Sequence, residues 1–185
     1  GHGVPGALVS LVCANALNRT LNEFEITDTG QILDKTRELV IETFAKSTSD
    51  VKDGMDVSFM CVEKNKKQVY WSGANNPLWY IFNGEIKEIK GDKQPIGKSD
   101  NVMPFTSHII KYEKDTIFYL FTDGYADQFG GDRGKKFKYK QLEKLLVDIH
   151  TKPLSQQQNE LTNAFNTWKG DLEQVDDVCI IGVKL

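Results

Sequence analysis

Asp123, Asp176 and Asp177, in two short motifs, are the residues of this chain best suited to chemistry. Thr122-Asp123-Gly124-Tyr125-Ala126-Asp127 follows the apolar run 116–121, and Asp176-Asp177 opens the apolar run 178–183. Both runs have the length and the aromatic or β-branched content of buried strands, so each would deliver carboxylates to a strand end. Oxygen ligands on rigid supports, brought together from distant sequence, are what a hard metal ion requires. Gly124 lacks a Cβ and would let the backbone turn sharply and approach a ligand closely. Either site taken alone is better explained as an ordinary polar turn.

Two further stretches could bear on the same chemistry. The chain opens with Gly1-His2-Gly3-Val4-Pro5-Gly6, a glycine loop leading into the small and apolar residues 7–17. Pro5 suits a first helical turn, and free N–H groups at such a start favour an anion or an acidic metal cluster nearby. A plain tight loop and a structural histidine at His2 explain the same residues. Residues 128–138 carry Gly130, Gly131 and Gly134 with Arg133, Lys135, Lys136 and Lys138. They read either as a mobile flap that meets a phosphorylated substrate or as a solvated linker.

The elements that must position these residues follow from periodicity. Residues 7–17, apolar on nearly every side, predict a helix buried against a sheet. Ile32, Thr36, Leu39, Val40 and Phe44 predict an amphipathic second helix over 31–46, capped by Asp28 or Thr29 and followed by a polar loop over 47–53. From Val57 the period is that of strands, over 57–62, 68–72, 78–82, 85–90, 106–112 and 116–121, with Asn83-Gly84 as the clearest hairpin turn. Leu142, Leu145, Leu146 and Ile149 mark a helix over 139–149. A capping box at Ser155 starts another that carries Leu161, Phe165 and Trp168, and strand 178–183 closes the chain. Helices and antiparallel strands in separate runs indicate an α+β fold with helices layered on antiparallel sheets. Strands 57–62 and 116–121 are apolar at consecutive positions, as in the middle of a sandwich.

At 185 residues with 39% hydrophobic content the chain is the size of one domain with a real core. A net charge of -3 argues against a nucleic-acid partner. No run is long enough to span a bilayer, no contact with a membrane is expected, and a cytoplasmic setting fits. Cys13, Cys61 and Cys179 sit in apolar runs and read as buried free thiols of a reducing compartment. No Gly-Lys-Ser/Thr follows the opening glycines, which weighs against a nucleotide loop.

Taken together, Gly-His-Gly-Val-Pro-Gly-Ala at the start, Gly73-Ala74-Asn75-Asn76-Pro77, Thr-Asp-Gly-Tyr-Ala-Asp and Val-Asp-Asp-Val, in that order, resemble the motifs of the metal-dependent protein serine/threonine phosphatases. The bacterial branch typified by stage II sporulation protein E and sigma-factor regulatory phosphatases is the most similar. The resemblance implies a β-sandwich with helix pairs on both outer faces, and an acidic centre that binds two or more Mn2+ or Mg2+ ions. It implies hydrolysis of phosphoserine or phosphothreonine on a regulatory protein akin to an anti-sigma-factor antagonist, with an upstream sensor domain as input. On this resemblance Asp123 and Asp176 match metal ligands, with Asp177 as the alternative to Asp176. Gly1, His2 and Gly3 match the active-site loop, Gly124 the close turn, and Arg133 lies in the basic stretch that would meet substrate.

Departures from the family pattern set further expectations. Asp127 stands where many members have Glu, and Cys179 where they have a Thr-like residue. The family's earlier aspartates and first strands would fall before Gly1. Residues 1–185 are therefore expected to be a single phosphatase domain truncated at its N-terminus. Such a piece holds part of the metal cage, has little or no activity alone, and exposes strand edges that favour association, a homodimer included. The alternative is a non-catalytic, protein-binding regulatory module of the same fold.

Overall fold

The computed structural model describes residues 3–45, 54–100 and 102–185, with side chains from residue 6 onward. Gly1, His2, Lys46 and the expected loop 47–53 lie outside them. The chain forms two compact units, residues 1–77 with 90–112 and residues 78–89 with 113–185.

In the first unit, helices α1 (Gly3–Glu23) and α2 (Thr29–Ala45) pack beside a three-stranded antiparallel sheet. Its strands β1 (Val57–Glu63), β2 (Gln68–Ala74) and β5 (His108–Lys111) lie in the order β1-β2-β5. α1 runs past the expected residue 17 because its polar end is held by local bonds, Thr20 Oγ1 to Ala16 O at 3.0 Å and Arg19 to Glu23 at 3.2 Å. Only one face of α1 is buried, through Val9, Cys13 and Ala16, while Leu8 and Leu11 are more than half exposed. Although residues 7–17 are apolar on nearly every side, the helix is therefore covered on one face only. Asp28 caps α2, its carboxylate accepting from the Gln31 amide at 2.9 Å. Asp28 also accepts from the Ser107 hydroxyl, and Asp92 accepts from the Thr106 amide at 2.7 Å. β5 therefore starts two residues later than residue 106, the first position expected.

The second unit is built on β3 (Leu78–Phe82), β4 (Glu85–Ile89), β6 (Ile117–Phe121) and β9 (Ile180–Lys184), in the order β4-β3-β6-β9, all antiparallel. Asn83 and Gly84, at φ of 53° and 78°, make the expected two-residue turn between β3 and β4. Helices α4 (Tyr139–Ile149) and α5 (Leu154–Lys169) bury Leu142, Leu146, Leu161 and Phe165 against Trp79, Tyr119 and Phe121. β6 is buried on both faces, with Phe118 and Tyr119 both near zero exposure. β1 departs from that expectation, because its residues are only partly buried.

Three other expectations are corrected. Ser155 does not cap α5; the helix starts at Leu154 behind Pro153, with no side-chain cap. Cys13 is buried, but Cys61 and Cys179 are exposed, the first within β1 and the second just before β9. Residues 128–138 form a short hairpin, β7 (Phe129–Gly130) paired with β8 (Lys135–Lys136), after a single helical turn α3 (Gly124–Asp127). Among the described residues no helix is long and apolar enough to cross a membrane.

Candidate active site

The second unit brings the two aspartate motifs together. β6 and β9 are antiparallel neighbours with Phe121 opposite Ile180, so the end of one strand meets the approach to the other. Thr122 fastens the junction three ways. Its amide donates to Cys179 O at 3.0 Å, its hydroxyl donates to Asp177 O at 2.9 Å, and that hydroxyl accepts from the Cys179 amide at 3.0 Å. These bonds take Cys179 out of the regular ladder and delay β9 to Ile180. A Cβ on Gly124 would lie 2.5 Å from Asp177 O, which is why this position has no side chain.

Asp123 thus stands at the start of α3 beside the backbone of Asp176 and Asp177. All three residues are exposed. Asp176 Oδ1 accepts from the Asp177 amide at 2.7 Å, and Asp127 pairs with Lys136 at 2.9 Å. Tyr139, the first residue of α4, packs edge-on against Trp79 at 5.9 Å and tilts against Phe121 at 6.1 Å. Burial pushes its hydroxyl pKa up, and the charges of Asp123, Asp127 and Glu88 push the same way.

The basic hairpin is anchored. Gly131 N–H donates to Trp168 O at 2.8 Å, and a Cβ on Gly130 would sit 1.8 Å from that same oxygen. Arg133 lies exposed in the turn between β7 and β8. Gly3 opens α1 in the first unit instead of lying in a loop.

The carboxylates are the right kind of donor for Mg2+ or Mn2+, which prefer oxygen. Their number is short of a cage: among the described residues no group of three His, Cys, Asp or Glu could hold an ion. Sequence reasoning missed α3, Tyr139 and Gln128. Gln128 stands in the stretch Asp127-Gln128-Phe129-Gly130-Gly131, but nothing in it shows where an amide side chain will bond.

A family model described as stage II sporulation protein E matches residues 1–185. Among solved structures, the chain is similar to the SiaA-PP2C domain of Pseudomonas aeruginosa, at 27% identity and TM-score 0.86, over 100% of this chain and 71% of that one. It is similar also to the PP2C phosphatase domain of SpoIIE from Bacillus subtilis with a fragment of its regulatory domain, at 11% identity and TM-score 0.76. That match covers 100% of this chain and 52% of the solved one, so this chain spans about half its length. RsbX in complex with magnesium matches at 16% identity and TM-score 0.61, over 98% and 75% of the two chains. No curated protein matches. The expected class, helices with antiparallel sheets in the metal-dependent phosphatase fold, is borne out. With the family match spanning every residue, the chain belongs to the stage II sporulation protein E family of PP2C-type phosphatase domains.

Proposed function

We propose that this domain hydrolyses phosphoserine or phosphothreonine on a regulatory protein akin to an anti-sigma-factor antagonist, as the cytoplasmic output of a signalling protein. The observation that carries this reading is the Thr122–Gly124 junction, which sets Asp123 against Asp176 and Asp177 at adjoining strand ends. Asp123 and Asp176 would hold the metal, with Asp177 as the alternative second ligand. Magnesium or manganese bound there supplies an activated water and neutralises phosphate charge. The magnesium in the RsbX structure supports that choice of ion. Arg133, at the tip of a hairpin anchored to α5, would meet the phosphorylated segment by a charge-assisted contact. Upstream sensor control and self-association of the domain remain part of the proposal.

The test is phosphate release from a phosphoserine protein with and without Mn2+. Asp123→Asn is expected to abolish Mn2+-dependent turnover in a chain extended upstream of Gly1. Unchanged turnover in that variant would sink the assignment. Saturable binding of a protein partner with no hydrolysis at all would favour a binding module instead.

A further inference from the structure

Two glutamines of the second unit are as deeply buried as its aromatic core, at 0% exposure for Gln128 and 2% for Gln157. A buried amide must find partners for two donors and an acceptor. Gln157 spends its amide on helix ends: Oε1 accepts from the Tyr119 hydroxyl at 2.7 Å, and Nε2 donates to His150 O at 3.1 Å and Lys152 O at 2.8 Å. Gln128 spends its amide on the approach to the carboxylates. Its Nε2 donates to Glu173 O at 2.9 Å and Phe129 O at 3.0 Å, and its Oε1 accepts from the Val175 amide at 3.2 Å. Its own carbonyl accepts from Trp168 Nε1 at 3.1 Å and from the Phe137 amide at 2.9 Å. One residue, directly after Asp127, therefore ties the hairpin, the end of α5 and the stretch before Asp176.

That stretch has little else to hold it. Leu172 and Val175 are 47% and 53% exposed, so apolar burial contributes little there. Among the described residues, the hydrogen bonds that reach 173–179 from the rest of the unit come from Gln128 at one end and Thr122 at the other. The chemistry is specific to glutamine. A glutamate would offer no donor to the two carbonyls and would bury a charge, and an asparagine is one methylene too short to span them.

We propose that Gln128 is a positioning residue that sets Asp176 and Asp177 against Asp123, so that the metal affinity of the site depends on an amide that touches no ion. The inference rests on the metal-site reading above and deepens it. Substitutions in the layer behind metal ligands typically weaken affinity about 10- to 100-fold.

The experiment compares Gln128→Ala and the isosteric Gln128→Met with Gln157→Ala, a matched loss of a buried amide elsewhere in the same unit. Hydrogen exchange over 172–179 is read by mass spectrometry, and Mn2+ binding by electron paramagnetic resonance on the same variants in a chain extended upstream of Gly1. Both Gln128 variants are expected to exchange about tenfold faster over 173–179 and to bind Mn2+ about 10- to 100-fold more weakly. Gln157→Ala should lower the unfolding midpoint and leave both readouts unchanged. Exchange over 173–179 that stays at the wild-type rate in Gln128→Met, or that rises equally in Gln157→Ala, overturns the inference. An extended wild-type chain that fails to bind Mn2+ overturns the metal reading and the affinity claim with it, while the exchange arm still decides whether Gln128 holds the segment.

Discussion

Each compact unit fastens an irregular stretch to its regular elements through one buried polar side chain, and the two units use different physics. In the first, Arg37 of α2 is 7% exposed and donates to Gln94 Oε1 and Met103 O, both at 3.0 Å, and to Asp34 Oδ1 at 2.7 Å. Its guanidinium lies over the Phe105 ring at 4.7 Å, and Gln94 closes the network by bonding Met103 through both its N–H and its C=O. In the second, Gln128 does the equivalent work without charge. The contrast has a physical reason. A guanidinium beside Asp123, Asp176 and Asp177 would compete with a metal for their oxygens, whereas a neutral amide can hold the backbone without adding a charge beside them. The first unit uses the stronger charged bonds at its own joint.

Removing the charged joint should give the largest effect. Arg37→Met leaves Asp34 as a partly buried charge without its cationic partner and takes one donor each from Gln94 and Met103, an expected loss of about 3–5 kcal/mol. Urea unfolding measures it, and a loss below about 1 kcal/mol would mean that Arg37 is an ordinary surface cation and the comparison has no basis. Gly124→Ala comes next. The added methyl would meet Asp177 O at 2.5 Å and must push it away, at a cost of about 1–3 kcal/mol. The same substitution should raise exchange over 176–179, which separates the backbone half of the junction from the amide half.

What could be read from the sequence was local, and what could not was distant. Asn83-Gly84 was legible because a two-residue turn states its own backbone angles, and Asp28 because a cap bonds an amide three residues on. Asp123 and Asp176 were legible as a motif pair, since antiparallel neighbours bring such strand ends together whatever the intervening chain. β9 was placed two residues early because Val178 and Cys179 look like strand, while Thr122, more than fifty residues away, takes the Cys179 amide. The stretch 128–138 looked loose because glycine and lysine dominate it, and its anchor is the Trp168 carbonyl, which no local pattern reveals. Gln128 and Arg37 went unnoticed for the same reason. A polar side chain in a polar-looking stretch shows its burial only when the chain has folded over it.

A control for both joints is a backbone effect with no tertiary partner. Gly84 has φ of 78° and open space around its missing Cβ. Gly84→Ala should therefore cost about 1 kcal/mol, the price of a left-handed alanine and nothing more. Mn2+ binding and exchange over 173–179 should not move. If they do, the second unit responds to any loss of stability, and the selective role given to Gln128 loses its meaning.

The smallest effect is the one that tests the charged joint most closely. Burial raises the pKa of the Asp34 carboxyl above its usual value, and that outweighs the Phe105 amide and the Arg37 guanidinium, which both favour its charge; Asp28 and Asp92 add to the rise. A carboxyl whose pKa is higher in the folded than in the unfolded chain binds its proton more tightly when folded. Stability therefore falls as pH climbs from the ordinary value through the raised one, and is level above it. Asp34→Asn keeps an acceptor for Arg37 and Phe105 but cannot titrate. The wild type should lose ground to Asp34→Asn as pH rises through that acid interval, by an amount that solvent at this partly exposed side chain keeps small. Urea unfolding of both proteins across the acid range reads the difference. The opposite slope, with the wild type gaining as Asp34 ionises, would show that the ion pair outweighs the burial of its carboxylate. The first unit would then owe its fastening to charge attraction itself, and the neutral amide of the second would mark a sharper contrast than the hydrogen bonds alone suggest.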